Sequence, residues 1–292
     1  MPPKCTVRYG TSIMPFFAKL LDAVPPTPSD FANSQLFPAE NRIAEAPELK
    51  DLKRPSLSAI LSAISDQKAL YLWQKAQIEE MGLSAFKSSM YERMALGTQV
   101  HSRVEELLKV RSGKGRRSEQ DLLDIIKKER LVELQNYMKS ALPLILEIQN
   151  PSTAISEKKV RHPTLAYQGR FDAVVQYRDE WSILDWKTAP ARSSFSKLGE
   201  DSLSYTSYVR QLAAYASAYN HDIRFETLPI VKSGLLVSLK EDGSPAEVFR
   251  VGQEEMEKTF RDVTEKLEEF WTKVANAGSP TLDLAYKPPK TN

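Results

Sequence analysis

The chain has 292 residues, ample for a sizeable core, with 40 basic and 38 acidic side chains and a formal net charge of +2. So even a balance gives no global basic field, and any nucleic-acid binding has to come from local patches. Cys5 is the sole cysteine, which excludes a disulfide scaffold, a four-cysteine zinc site and a cysteine-ligated iron–sulfur cluster; no run of about 18 apolar residues exists to span a membrane.

Residues 1–21 carry Lys4, Arg8 and Lys19 but no acid, a composition compatible with an organelle transit peptide and equally with a plain leader. Pro25-Pro26-Thr27-Pro28 interrupts any helix, and with little periodicity before Pro55 the stretch 1–52 is expected to be disordered. Leu57, Ile60, Leu61 and Ile64 make a helical stripe, followed by predicted helices over 66–81 and 84–109, the second broken near Gly97. Lys109 to Arg117 reads as a basic, glycine-containing loop, and helices at 118–130 and 132–148 lead to Pro151. The pattern then switches to period two, predicting strands at 155–162, 166–177, 181–187, 234–240 and 246–251. A helix at 205–220 separates the third strand from the fourth, Glu241-Asp-Gly-Ser244 is a hairpin turn, and an amphipathic helix covers 253–275. The expectation is one α/β domain over 53–277, a mixed sheet with a helical region at 53–150, and beyond it a disordered tail at 278–292.

The hairpin carries the chemistry. Side chains alternate along a strand, so Asp185 and Lys187 share one face while Leu184 and Trp186 point the other way. A short even-length turn near Arg178-Asp179 sets Asp172 opposite Asp185 on that face. Val174-Val175 and Ile183-Leu184 make both strands read as central, so two carboxylates and an ammonium are forced together among apolar side chains. Such a cluster is costly unless the carboxylates are paired or hold a cation, and a divalent metal beside a lysine satisfies both. The plain alternative is a solvated strand face, common for an Asp two positions before a Lys.

Other residues could complete a site. His101 and Glu105 lie four apart on one helix face, either as a surface pair or with His101 as a nitrogen ligand and Gly97 letting its helix approach the sheet. His162 and His221 have no ligand-spaced neighbours and read as structural. Gln211 and Tyr215 also share a helix face, with Ala213, Ala214, Ala216 and Ala218 small enough for close packing on the sheet; Gln211 could orient a phosphate or the lysine. Glu157 is a further acid that could hold a second metal or a ligand-bound water, or simply face solvent. No HExxH, paired-cysteine or glycine-rich phosphate loop is present.

Gly97-Thr-x-x-His101-x-x-x-Glu105, Gly169-x-x-Asp172, Asp185-x-Lys187 and Gln211-x-x-x-Tyr215 occur in an order that resembles the RecB-type branch of the PD-(D/E)xK nucleases, and within it the exonucleases of mitochondrial genome maintenance. The likeness extends to Pro55-Ser56, Asp185-Trp-Lys-Thr188, Asn220-His-Asp222 and Asp242-Gly-Ser-Pro-Ala246, covering residues 55–275. The proline that names the family is absent, Phe171 standing before Asp172. The resemblance implies a restriction-endonuclease-like α/β fold, a mixed sheet flanked by helices with an N-terminal helical extension. It implies that Asp172 and Asp185 bind Mg²⁺ or Mn²⁺ together with His101 and the main-chain carbonyl of Trp186. Lys187 would stabilise the attacking hydroxide or the developing phosphorane charge, with Gln211 and Tyr215 supporting it.

For function, the resemblance implies a monomeric, mitochondrial, metal-dependent exonuclease acting on single-stranded DNA ends or flaps, with no membrane partner. A structure-specific endonuclease of the same fold and a non-catalytic nucleic-acid-binding module are the alternatives. Single-strand binding combines a basic groove with aromatic stacking. Lys109, Arg111, Lys114, Arg116 and Arg117 supply basic candidates, with Arg170, Thr188 and Arg192 nearer the site. Tyr71, Trp73, Phe86 and Tyr91 could stack bases beneath an arch of the helices at 57–110, or could simply pack those helices together.

Overall fold

A computed structural model of the protein describes residues 26–38, 42, 54–66, 68–113, 118–189 and 203–276. Helices α1 (Pro28–Ala32), α2 (Leu57–Ile64), α3 (Lys68–Met81), α4 (Leu83–Ser112), α5 (Glu119–Lys128) and α6 (Val132–Glu147) precede strands β1 (Ile155–Arg161), β2 (Gln168–Tyr177) and β3 (Glu180–Ala189). Helix α7 (Leu203–His221) leads to β4 (Ser233–Lys240) and β5 (Glu247–Val251), and α8 (Gln253–Asn276) closes the described chain. The five strands lie in sequence order, antiparallel except for the parallel β3–β4 pair. A parallel neighbour needs a crossover, and α7 supplies it.

Helices cover both faces of the sheet. Ile183 and Leu236 point to a layer built with α2, α7 and α8, whereas Leu184, Trp186, Leu235 and Val237 point to a layer built with α4, α5 and α6. All eight residues of β4 are buried, as a central strand with both faces covered requires. Arg178 and Asp179 both have positive φ, 48° and 64°, the signature of a two-residue hairpin turn whose twist matches its strands. That turn locks the register at Tyr177–Glu180 through Ala173–Leu184, so continuing it by one pair brings Asp172 level with Asp185.

Alternation breaks once, at Asp172. Phe171 and Val174 face the same layer although three residues apart, as do Ile155 and Val160 although five apart. The β1–β2 pairing runs Ile155–Val174 and Ser156–Ala173 and resumes at Lys158–Phe171, while Glu157 between them has φ of 51°. Both strands therefore switch faces at the Glu157–Asp172 level, which turns Asp172 to the boundary between the two layers.

Three expectations are corrected. Helix α4 runs unbroken through Gly97, because an interior glycine costs only about 1 kcal/mol against alanine and the buried stripe Val100, Val104, Leu107 and Leu108 outweighs it. The same helix takes in Lys109 to Ser112, so the basic loop is shorter than its composition suggested. Residues 26–38, assigned to the disordered leader, are folded onto the body: Thr27 and Asp30 form a capping box with Pro28 at the first helical position, and Phe31 and Leu36 are buried. Asn220 donates to the Leu36 carbonyl at 3.3 Å and Ser217 to that of Gln35 at 3.2 Å, tying this segment to α7. The rest of the expected leader, and the tail at 278–292, lie outside the described residues.

Candidate active site

Four elements bring the candidate residues into one cluster. Helix α4 presents His101 beside its buried Val100, and His101 Nδ1 lies 3.3 Å from Asp172 Oδ1. The other Asp172 oxygen accepts the Trp186 backbone N–H at 2.7 Å, which fixes the carboxylate across the β2–β3 pair. Asp185 is 6% exposed, and its Oδ2 sits 2.7 Å from Lys187 Nζ. The carboxylate and the ammonium thus form a short, largely buried ion pair.

Lys187 is held from the helix side. Its ammonium donates to Gln211 Oε1 at 3.3 Å, and Gln211 Nε2 donates to the Tyr215 hydroxyl at 3.3 Å. It also stands 4.5 Å from the centroid of the Tyr208 ring. Tyr208 is not among the residues expected from the motifs, yet it lies three residues before Gln211 and seven before Tyr215, on the same helical face. Gly169 explains the Gly-x-x-Asp spacing: a Cβ there would stand 2.1 Å from Tyr215 Cε1, so only glycine lets the tyrosine ring lie over the strand. At Gly97, by contrast, a Cβ would meet nothing within 4 Å, so the expected close approach of α4 through that glycine does not occur.

Electrostatics reflect burial around a few charges. Burial raises Asp185 to about 6, with Asp172 adding to the shift and Lys187 opposing it. Burial works against charge on Lys187, yet Asp185 and Asp172 outweigh it and its pKa is raised. His101 behaves in the same way: burial is the largest influence and lowers it, but the Asp172 hydrogen bond and the charges of Asp172 and Asp185 leave it raised. Glu157 is raised by burial and then by Asp172, against a hydrogen bond from Arg170.

The residues fit a divalent cation. His101, Glu157 and Asp172 each offer a ligand atom within 4.8 Å of one another, whereas Asp185, expected as a ligand, stands outside that group with its Oδ2 paired to Lys187. Oxygen donors with one imidazole suit Mg²⁺ or Mn²⁺.

The remaining candidates have other surroundings. Glu105 pairs with Lys109 at 2.5 Å and accepts from Ser156 at 3.2 Å rather than meeting His101. Arg170 pairs with Glu157 at 3.2 Å, and Thr188 sits partly exposed one residue beyond Lys187. Trp73 packs edge-on against the buried Phe86, while Tyr91 is exposed. His162 and His221 lie with ring centroids 4.9 Å apart and tilted by 38° in the α7 layer, as structural histidines. Lys114, Arg116, Arg117 and Arg192 lie outside the described residues.

A family model of the PD-(D/E)XK nuclease superfamily matches residues 69–283. The chain belongs to that superfamily. Its mixed five-stranded sheet flanked by helices is the restriction-endonuclease-like α/β fold of PD-(D/E)XK nucleases. Among curated relatives, "Mitochondrial genome maintenance exonuclease 1" of Xenopus tropicalis is 30% identical over 195 residues, 66% of this chain and 50% of that protein. The Homo sapiens protein of the same name is 27% identical over 227 residues, covering 76% of this chain and 59% of its own length. The Mus musculus protein is 25% identical over 229 residues, with 77% and 61% covered. The chain thus spans 50–61% of the length of these relatives.

Proposed function

We propose that the chain is a metal-dependent exonuclease that hydrolyses phosphodiester bonds of single-stranded DNA from free ends, in mitochondrial DNA maintenance. The observation that carries this reading is the convergence of His101, Asp172, Asp185 and Lys187 in one cluster of a PD-(D/E)XK fold. The mitochondrial setting and the exonuclease mode rest on the names of the relatives, and no helix among the described residues is long and apolar enough to cross a membrane.

A divalent cation held by Asp172, Asp185, His101 and the Trp186 carbonyl would acidify water and offset charge on the scissile phosphate. The protein side of the reaction is positioning. The Trp186 amide holds Asp172 by its Oδ2, leaving the Oδ1 side, where His101 lies, for coordination. Lys187, oriented by Gln211 and by the Tyr208 ring, places a point charge where the phosphate oxygens become more negative in the transition state. Burial around Asp185 and Lys187 lowers the local dielectric and makes that charge count for more than it would in water.

Support for an unpaired strand comes from helices α3 and α4. Leu70, Leu72, Trp73, Met81, Tyr91 and Met94 are all exposed there. Tyr91 lies ten residues before His101 on the same helix, about 15 Å along the axis at 1.5 Å per residue, a distance spanned by a few nucleotides. Exposed aromatics at that reach suit base stacking. The test is digestion of linear and circular single strands with Mn²⁺, the linear ones labelled at either end. Loss of end label from the linear strand with the circle intact supports the exonuclease; cutting of the circle favours the structure-specific endonuclease, and metal-independent binding without cleavage the non-catalytic module.

A further inference from the structure

Glu157 stands outside the set of Asp172, Asp185 and His101 assigned to the cation, yet it is the acid that sits with His101 and Asp172. Ligands of one cation at about 2.1–2.4 Å can stand no more than about 4.8 Å apart, which is the separation within which His101, Glu157 and Asp172 offer their atoms. We propose that Glu157 is a direct ligand of the divalent cation, on the His101 side of the pocket, a role that rests on the nuclease reading of the site. The buried Asp185 stands outside that group of three, its Oδ2 paired with Lys187, but its charge bears on His101.

Backbone geometry serves this placement. Glu157 adopts φ of 51° in mid-strand, a conformation uncommon for a residue with a side chain. The conformation removes the Glu157–Asp172 rung of the β1–β2 ladder and is where both strands change face. Two carboxylates that would otherwise alternate away from the helix bearing His101 are thereby gathered beside it. A left-handed residue at such a position, with two acids brought together, needs a compensating partner.

Arg170 is the competing partner. Its Nη1 lies 3.2 Å from Glu157 Oε2, but the Arg170 side chain is 55% exposed, and rim ion pairs of that exposure contribute little. A cation coordinated also by Asp172 displaces it. The alternative, in which Glu157 serves only to pair with Arg170, predicts the opposite response to mutation.

Mn²⁺ binding to the full chain, read by calorimetry without DNA, separates the two. Glu157→Gln should weaken Mn²⁺ binding at least tenfold, the lower bound for residues whose loss disturbs a metal site. Glu157→Asn, whose side chain tolerates positive φ, should do the same while preserving the fold. Arg170→Gln should leave Mn²⁺ affinity unchanged or tighter, since it releases Glu157. Wild-type affinity in the two Glu157 variants, or equal weakening in Glu157→Gln and Arg170→Gln, overturns the proposal. If the wild type binds Mn²⁺ and degrades single-stranded DNA while the Glu157 variants bind normally, only the ligand role of Glu157 fails. If Asp172→Asn binds Mn²⁺ and degrades DNA like the wild type, the nuclease reading of the pocket fails with it.

Discussion

Gly169→Ala should injure both stability and catalysis, because the methyl group strikes the ring that anchors the lysine relay. The added Cβ would stand 2.1 Å from Tyr215 Cε1, 2.6 Å from Cζ and 2.9 Å from the hydroxyl, where ordinary contact begins at 3.4 Å. The ring must therefore retreat by about 1.3 Å, the difference between 3.4 and 2.1 Å, and it is 7% exposed with little room to do so. Overpacking of this kind costs about 1–3 kcal/mol. Retreat also stretches the 3.3 Å bond from Gln211 to the Tyr215 hydroxyl, loosening the amide that accepts from Lys187. Displacements of about 1 Å in a catalytic group reach about 10²-fold in rate, so a loss of about 10- to 10²-fold is expected. Urea unfolding and Mn²⁺-dependent digestion of a labelled single strand measure the two effects. In a Tyr215→Ala background the same methyl should be nearly neutral to stability, giving a coupling of at least about 1 kcal/mol. Wild-type stability and rate for Gly169→Ala, or an equal cost with and without the tyrosine, would refute the contact.

Lys187→Met should lower the rate about 10²–10³-fold, the cost typical of one electrostatic donor, while Mn²⁺ binding by calorimetry persists; full activity would remove the lysine from the mechanism. Tyr91→Ala, at a position 70% exposed, should weaken single-strand binding measured by fluorescence anisotropy by about 1–3 kcal/mol and leave the urea midpoint unchanged; unaltered binding would exclude stacking there. Burial holds His162 well below its ordinary range, so below about pH 6.5 the unfolded chain binds a proton that the folded one refuses, and stability falls as pH drops. Asp185, raised to about 6, acts in the opposite sense, so the comparison is made between variants. The stability gap between wild type and His162→Asn should shrink by about 1.4 kcal/mol per pH unit below 6.5, and a constant gap would contradict a neutral buried histidine.

Much of the hairpin could be read from residue order because its determinants are local. A two-residue turn at Arg178-Asp179 sets the register, and period-two alternation then assigns Asp185 and Lys187 to one face and Trp186 to the other. Gln211 and Tyr215 are legible because helical spacing is equally local; the same arithmetic extends to Tyr208, the ring beside Lys187. What resisted reading depended on distant partners. The left-handed Glu157 has no glycine or asparagine to announce it, and the face switch it makes with Asp172 exists only in the paired sheet. Gly169 and Gly97 look alike in sequence, but only the former lies beneath a tyrosine supplied by another element. The capping box at Thr27–Asp30 was visible, whereas its docking depended on Ser217 and Asn220 reaching back to Gln35 and Leu36.

Asp185→Asn tests the central claim most directly, since it keeps the size of a side chain that is 6% exposed and removes the charge that pairs with Lys187. Digestion of 5′-labelled and 3′-labelled single-stranded DNA with Mn²⁺ should fall at least about 10²-fold in the variant, with circular dichroism unchanged. Digestion at the wild-type rate by the folded variant would mean that phosphodiester hydrolysis, if present, is performed elsewhere on the molecule.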